Sequence, residues 1–115
     1  MKLARTLSTF AKSAALRLGS AAAGRGLLAD FASDDETVRA LAGMFLVRGG
    51  PRSLPVLREA LARRKQMPAV LTMLGDIATD ESAELIRQYL SDADPEVAAA
   101  AHSALDILQR NRPRT

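Results

Sequence analysis

Cysteine is absent from this 115-residue chain. Disulfides, thiol nucleophiles and cysteine-held zinc are therefore excluded. Histidine occurs once, at His102, which rules out a histidine cage for a metal and any mechanism built on a histidine pair. Tryptophan is missing, and the aromatics are three Phe and one Tyr. No uninterrupted apolar run nears the ~20 residues of a membrane-spanning helix. The composition leans away from an enzyme, and no catalytic, cofactor-binding or metal-ligating residue is expected. What is present suffices for a core: 48% of the residues are hydrophobic and 25% charged, which argues against global disorder.

The first 29 residues carry Lys2, Arg5, Lys12, Arg17 and Arg25, several Ser and Thr, and no acid. Lys12 and Arg17 interrupt what would be the apolar stretch of a secretion signal, so secretion is not expected. The same composition suits organelle import, which stands as the alternative to a cytoplasmic location. Charge is polarised along the chain. Residues 1–65 hold 12 basic and 5 acidic groups, a net of +7; residues 66–115 hold 4 and 8, a net of −4. A nucleic-acid binder usually presents one continuous basic face, whereas this polarity suits a protein partner.

A degenerate repeat of 29–30 residues, present about three and a half times, runs through the chain. Phe45 aligns with Leu74, Leu54 with Ala83, Val56 with Leu85, Leu57 with Ile86 and Leu61 with Leu90. Ser53 meets Ser82 and Arg58 meets Arg87, while one step back places Leu27 and Leu28 under Val56 and Leu57. Each unit reads as two helices. First helices are predicted at roughly 2–18, 35–48, 67–77 and 95–110, and second helices at roughly 24–32, 51–64 and 80–91. Gly19, Gly49-Gly50-Pro51 and Asp94-Pro95-Glu96 supply the stops and starts. Nothing alternates with period two, so no strand is predicted.

The helix faces divide as stacked pairs require. Val38–Val47 is apolar nearly all round and must be packed on several sides. Helix 51–64 turns Leu54, Leu57 and Leu61 inward and Arg52, Glu59 and Arg63 outward. Helix 80–91 turns Ala83, Ile86 and Leu90 inward and Glu81, Glu84 and Gln88 outward. In the first helix Leu3, Leu7, Phe10, Ala14 and Leu18 form one stripe, opposite Lys2, Arg5, Thr9, Lys12 and Ser13. The expectation is a capping helix over residues 1–20 whose polar side faces water, as terminal repeats need, with a membrane-surface or import helix as the alternative. Leu16 fits the repeat register yet falls on the polar side of this wheel.

With these features on the page, the chain resembles the HEAT-repeat superfamily, and most closely the short units named for phycobilin-lyase HEAT-like repeats. The carrying residues are Asp35-Glu36-Thr37-Val38-Arg39-Ala40-Leu41-Ala42 followed by Leu54-Pro55-Val56-Leu57-Arg58-Glu59-Ala60-Leu61. An echo runs from Tyr89 through Val97 to Leu105, and the likeness covers about residues 24–108. The family's Val-Arg pair survives only at Val38-Arg39. The resemblance implies an all-α, short right-handed α-solenoid of about three and a half helix pairs. It would be one domain over 1–110 with a basic tail at 111–115, its second helices lining a concave face that binds macromolecules.

The candidate surfaces follow. Leu27, Val56 and Leu85 recur at the 29-residue spacing and read either as an apolar strip for a partner helix or as packing between second helices. Arg52, Glu59, Arg63, Glu81 and Gln88 would rim that strip. Arg58, Arg63, Arg64 and Lys65 could grip phosphate, or be dipole-favoured cations at a helix C-terminus. His102 and Asp106 are one helical turn apart but lack a nucleophile, so they read as helix-edge residues. The last helix has no following partner, and Ala98–Ala101 would leave a small-residue surface for a second copy or another protein. The leading expectation is a non-catalytic protein-interaction scaffold, working through its concave face or open C-terminal end, with an unidentified protein partner. A nucleic-acid-associated module built on the basic half stands second. An accessory subunit of a lyase complex, implied by the resemblance alone, stands third.

Overall fold

The computed structural model describes residues 2–112, and every regular element among them is helical. The helices are α1 (Lys2–Arg17), α2 (Ala21–Phe31), α3 (Glu36–Arg48), a 3₁₀ turn (Gly50–Ser53), α4 (Leu54–Ala62), α5 (Met67–Ile77), α6 (Asp80–Arg87) and α7 (Pro95–Asn111). They fall into two compact units, one running to Val56 and the other beginning at Leu57, so the break lies inside α4.

In the first unit α1, α2 and α3 pack on one another. Gly19, at φ +94°, ends α1, with the Ser20 N–H donating to the Ala15 carbonyl at 3.0 Å and the Gly19 N–H to that of Leu16 at 2.8 Å. Ser20 then starts α2, its hydroxyl accepting from the Ala23 N–H at 3.1 Å. Gly24 lets α2 close in, since a Cβ there would stand 3.3 Å from both Leu16 and Val56. Asp35 caps α3 by accepting from the Thr37 N–H at 3.0 Å and the Val38 N–H at 3.4 Å. Val38, Ala42, Phe45 and Leu46 are the buried side of α3, while Ala40 and Met44 are exposed. Pro51 sits in the 3₁₀ turn, so the helix predicted from residue 51 becomes α-helical only at Leu54. The buried Ser53 hydroxyl ties this turn to the Leu46 carbonyl at the end of α3.

In the second unit α5 packs chiefly on α7 and also on α6. The α5–α7 approach is backbone-close at Gly75, where a Cβ would lie 2.6 Å from the Ala104 carbonyl oxygen. Val97, Ala101, Ala104 and Leu108, spaced by four, three and four, form the buried stripe of α7. Ala101 is thus core, and of the predicted small-residue surface only Ala99 is fully in solvent. Thr79 and Ser82 make a reciprocal capping pair at the start of α6: the Ser82 N–H donates to Thr79 Oγ1 at 3.0 Å, and the Thr79 N–H to Ser82 Oγ at 2.9 Å. Asp94 caps α7, its carboxylate accepting from the Glu96 N–H at 2.9 Å.

Three non-glycine residues here take left-handed backbone: Arg64 (φ 54°), Gln66 (φ 52°) and Ala78 (φ 59°). Arg64 closes the helix that begins at Leu54 just as Gly19 closes α1, with the Lys65 N–H donating to the Ala60 carbonyl at 2.9 Å. That helix therefore ends at Ala62 rather than 64, and α6 stops at Arg87, four residues short of its predicted end. Of the predicted tail, Arg112 caps α7, and residues 113–115 lie outside the described residues.

Candidate interaction surfaces

The eight residues of the candidate strip and its rim do not share one kind of environment. Val56 and Leu85 are 5% and 6% exposed, and Leu27 is fully buried. These are core side chains, so the apolar strip they were to form is closed to a partner. Arg52, Arg63, Glu81 and Gln88 are exposed and Glu59 is half-buried. Arg63 pairs with Glu59 at 3.1 Å across one helical turn, and Glu81 pairs with Arg58.

The basic cluster is also largely engaged. Arg58 is held by Glu81 and Arg63 by Glu59, and Arg64 grips Asp92 with two parallel bonds of 3.0 and 2.7 Å. The fork-on-carboxylate geometry holds the Asp92 carboxyl below its ordinary value, first through the Arg64 guanidinium and next through the Asp94 backbone N–H, and it raises Arg64 in turn. Lys65 alone of the four has no carboxylate partner among the described residues. A division of charge at residue 65 puts this cluster with the basic half. By structural unit it belongs to the second, which holds 8 basic and 9 acidic residues against 8 and 4 in the first. The polarity persists as +4 against −1, with its positive end on the first unit.

The departure that matters most is in α1. Its polar side faces inward. Thr9 is fully buried and Ser13 and Leu16 are buried with it. The Thr9 hydroxyl lies 3.0 Å from both Asp30 Oδ2 and the Arg5 carbonyl and shares its one proton between them, and Lys12 Nζ donates to the same Asp30 oxygen at 2.9 Å. Arg5 donates to the Ser33 hydroxyl at 2.8 Å and lies 3.5 Å from Asp34. The predicted inward stripe is correspondingly outside: Leu3 is 72% exposed, Leu7 59%, Phe10 50% and Leu18, just past the helix end, 88%. Phe10 keeps one edge on the protein, its ring 5.1 Å from that of Phe45 at 65°. The physical reason is Asp30, a largely buried carboxylate whose side-chain donors, Thr9 and Lys12, both stand on the polar side of α1, since a polar group buried without a partner is costly. Leu16, the one large apolar residue on that side, supplies its apolar contact.

The exposed large apolar side chains among the described residues are Leu3, Leu7, Phe10, Leu18 and Met44, all in the first unit. In α7 the outward positions are Ala99, His102, Ser103, Asp106, Gln109 and Arg110. The expected small-residue surface on the last helix is thus reduced to Ala99 with half-buried Ala98 and Ala100, and the large exposed apolar side chains lie in the first unit instead. His102 and Asp106 both stand in solvent. Two open depressions of about 490 and 480 Å3 are lined by polar and charged groups, one by Asp106, Gln109, Arg110 and Arg112, the other by Arg5, Asp34, Asp35, Glu36 and Thr37. Among the described residues no group of three or more acidic or histidine side chains is placed to hold a metal, and no helix is long and apolar enough to cross a membrane. No family model matches the chain, and no curated protein or solved structure does either.

Proposed function

We propose that the chain is a small non-catalytic interaction scaffold of the HEAT-like type, built from short helix pairs and working by shape and surface charge on a protein partner. The observation that carries this reading is the recurrence of one structural position. Leu27, Val56 and Leu85, 29 residues apart, are each buried in a second helix, while Arg52, Glu81 and Gln88, on these helices or in the turns that flank them, stay in solvent. A repeated core under a non-repeated polar surface is what a scaffold needs, because the core fixes geometry and the surface is left to choose the partner. The engagement of Arg58, Arg63 and Arg64 by carboxylates supports a protein over a nucleic acid, since a phosphate backbone would have to displace all three pairs.

The test is recovery of partners on the tagged protein from a lysate of its source cells, with and without nuclease. The expected result is a protein recovered equally in both and lost when Glu81→Arg and Glu84→Arg are combined. Recovery that collapses with nuclease, and is abolished by neutralising Arg63, Arg64 and Lys65, overturns the reading.

A further inference from the structure

We infer that the outer face of α1 is a docking surface for an anionic lipid bilayer. The face is continuous. At 100° per residue, Phe10, Leu3, Ala14, Leu7, Leu18, Ala11 and Ala4 succeed one another over an arc of about 120°, and all seven are exposed. Its orientation is built in rather than incidental. The Thr9–Asp30, Lys12–Asp30 and Arg5–Ser33 bonds hold the opposite side of the helix against α2 and the turn that follows it. The leucines cannot turn inward without breaking all three.

Charge selects the occupant. The first acid in the chain is Asp30, so nothing on α1 is negative. At the C-terminal end of the face, Arg17 is exposed beside Phe10 on the wheel. The Arg52 guanidinium lies next to Gly19, where a glycine Cβ would be 3.5 Å from its Nη1. Neither arginine has a carboxylate partner among the described residues. An apolar face of Leu and Phe with cations at its edge is the pattern of a helix lying in the plane of a bilayer, its side chains about 5–10 Å into the headgroup boundary and its cations on anionic lipid. A second copy fits less well. The face is about 24 Å long and 10 Å wide, or about 240 Å2, against about 800 Å2 per partner in a stable complex.

Flotation of the purified full chain with vesicles tests this, using phosphatidylcholine alone and phosphatidylcholine containing phosphatidylserine. Binding is expected to the phosphatidylserine vesicles, weakened by salt and small on the neutral ones. Leu3→Ser and Leu7→Ser are each expected to lower the bound fraction about tenfold, with thermal unfolding unchanged because both positions are in solvent. The pair Arg17→Ala and Arg52→Ala is expected to remove the preference for phosphatidylserine. Three results would overturn the inference: no flotation on either vesicle, equal flotation on both, or flotation indifferent to the leucine changes. A dimer in sedimentation equilibrium that Leu7→Ser dissolves would assign the face to a second copy instead.

Discussion

The first and last described helices are both amphipathic, and they are mounted in opposite senses. α7 buries Val97, Ala101, Ala104 and Leu108 and shows water His102, Ser103, Asp106 and Gln109. α1 buries Thr9, Ser13 and Leu16 and shows water Leu3, Leu7 and Phe10. A helical wheel identifies two faces but not which one is inside. That choice depends on what the neighbouring element offers. α5 offers α7 an apolar surface and, at Gly75, bare backbone. α2 and the turn after it offer α1 the carboxylates of Asp30 and Asp34 and the Ser33 hydroxyl.

The comparison can be pressed with substitutions, and the largest effect is expected at the apolar contact. Gly75→Ala would drive a methyl into the Ala104 carbonyl, which belongs to helix backbone and cannot swing aside. A loss of about 3 kcal/mol is expected in urea unfolding. Next comes the polar contact of α1: Thr9→Val keeps the shape but removes the hydroxyl from Asp30, at an expected cost of about 1–2 kcal/mol. Leu7→Ser in the same helix is expected to change stability by less than about 0.5 kcal/mol. An ordinary amphipathic helix would reverse that order.

A pH titration sharpens the contrast within the second unit. The Asp92 carboxyl is held low in the folded state by Arg64, so its contribution to stability is present above the unfolded carboxylate pKa. It is lost as pH falls through the lower, folded value. Asp92→Asn is expected to lower stability at neutral pH and to flatten the acid limb of the stability–pH curve, measured by chemical denaturation. One further effect has the opposite sign. Ala78 caps α5 at φ 59°, where a Cβ is disfavoured, so Ala78→Gly is expected to stabilise by about 1 kcal/mol or somewhat less, after the entropy glycine adds to the unfolded chain.

The sequence made most of the helices legible because their boundaries are written in residue chemistry. Gly19 and Ser20, Asp35, and Asp94 with Pro95 each act where their types act generally. The ends it hid are those of α4 and α6. Arg64, an unsuited residue for a left-handed stop, takes one with its side chain fixed by Asp92, and α6 stops at Arg87 with no glycine or proline to mark it. Of the candidate surface, the exposed polar residues Arg52, Glu81 and Gln88 were legible from the wheel. For Val56 and Leu85 it left an open strip and packing as two readings, because position on a wheel says nothing of what covers an edge. The reversal of α1 did leave a trace. Leu16 matched the repeat register from the polar side of the helix, and three polar residues around it pointed to acceptors more than fifteen positions away, which no local pattern reports.

Because the chain has no cysteine, a single introduced thiol reports its own position. The decisive measurement is the native-state labelling rate of Leu7→Cys against Thr9→Cys. The mounting described here requires Leu7→Cys to react nearly as fast as a free thiol and Thr9→Cys to be protected until the helix opens. Fast labelling at position 9 with protection at position 7 would mean that α1 buries its leucines, and both the reversed helix and the lipid-facing surface would be wrong.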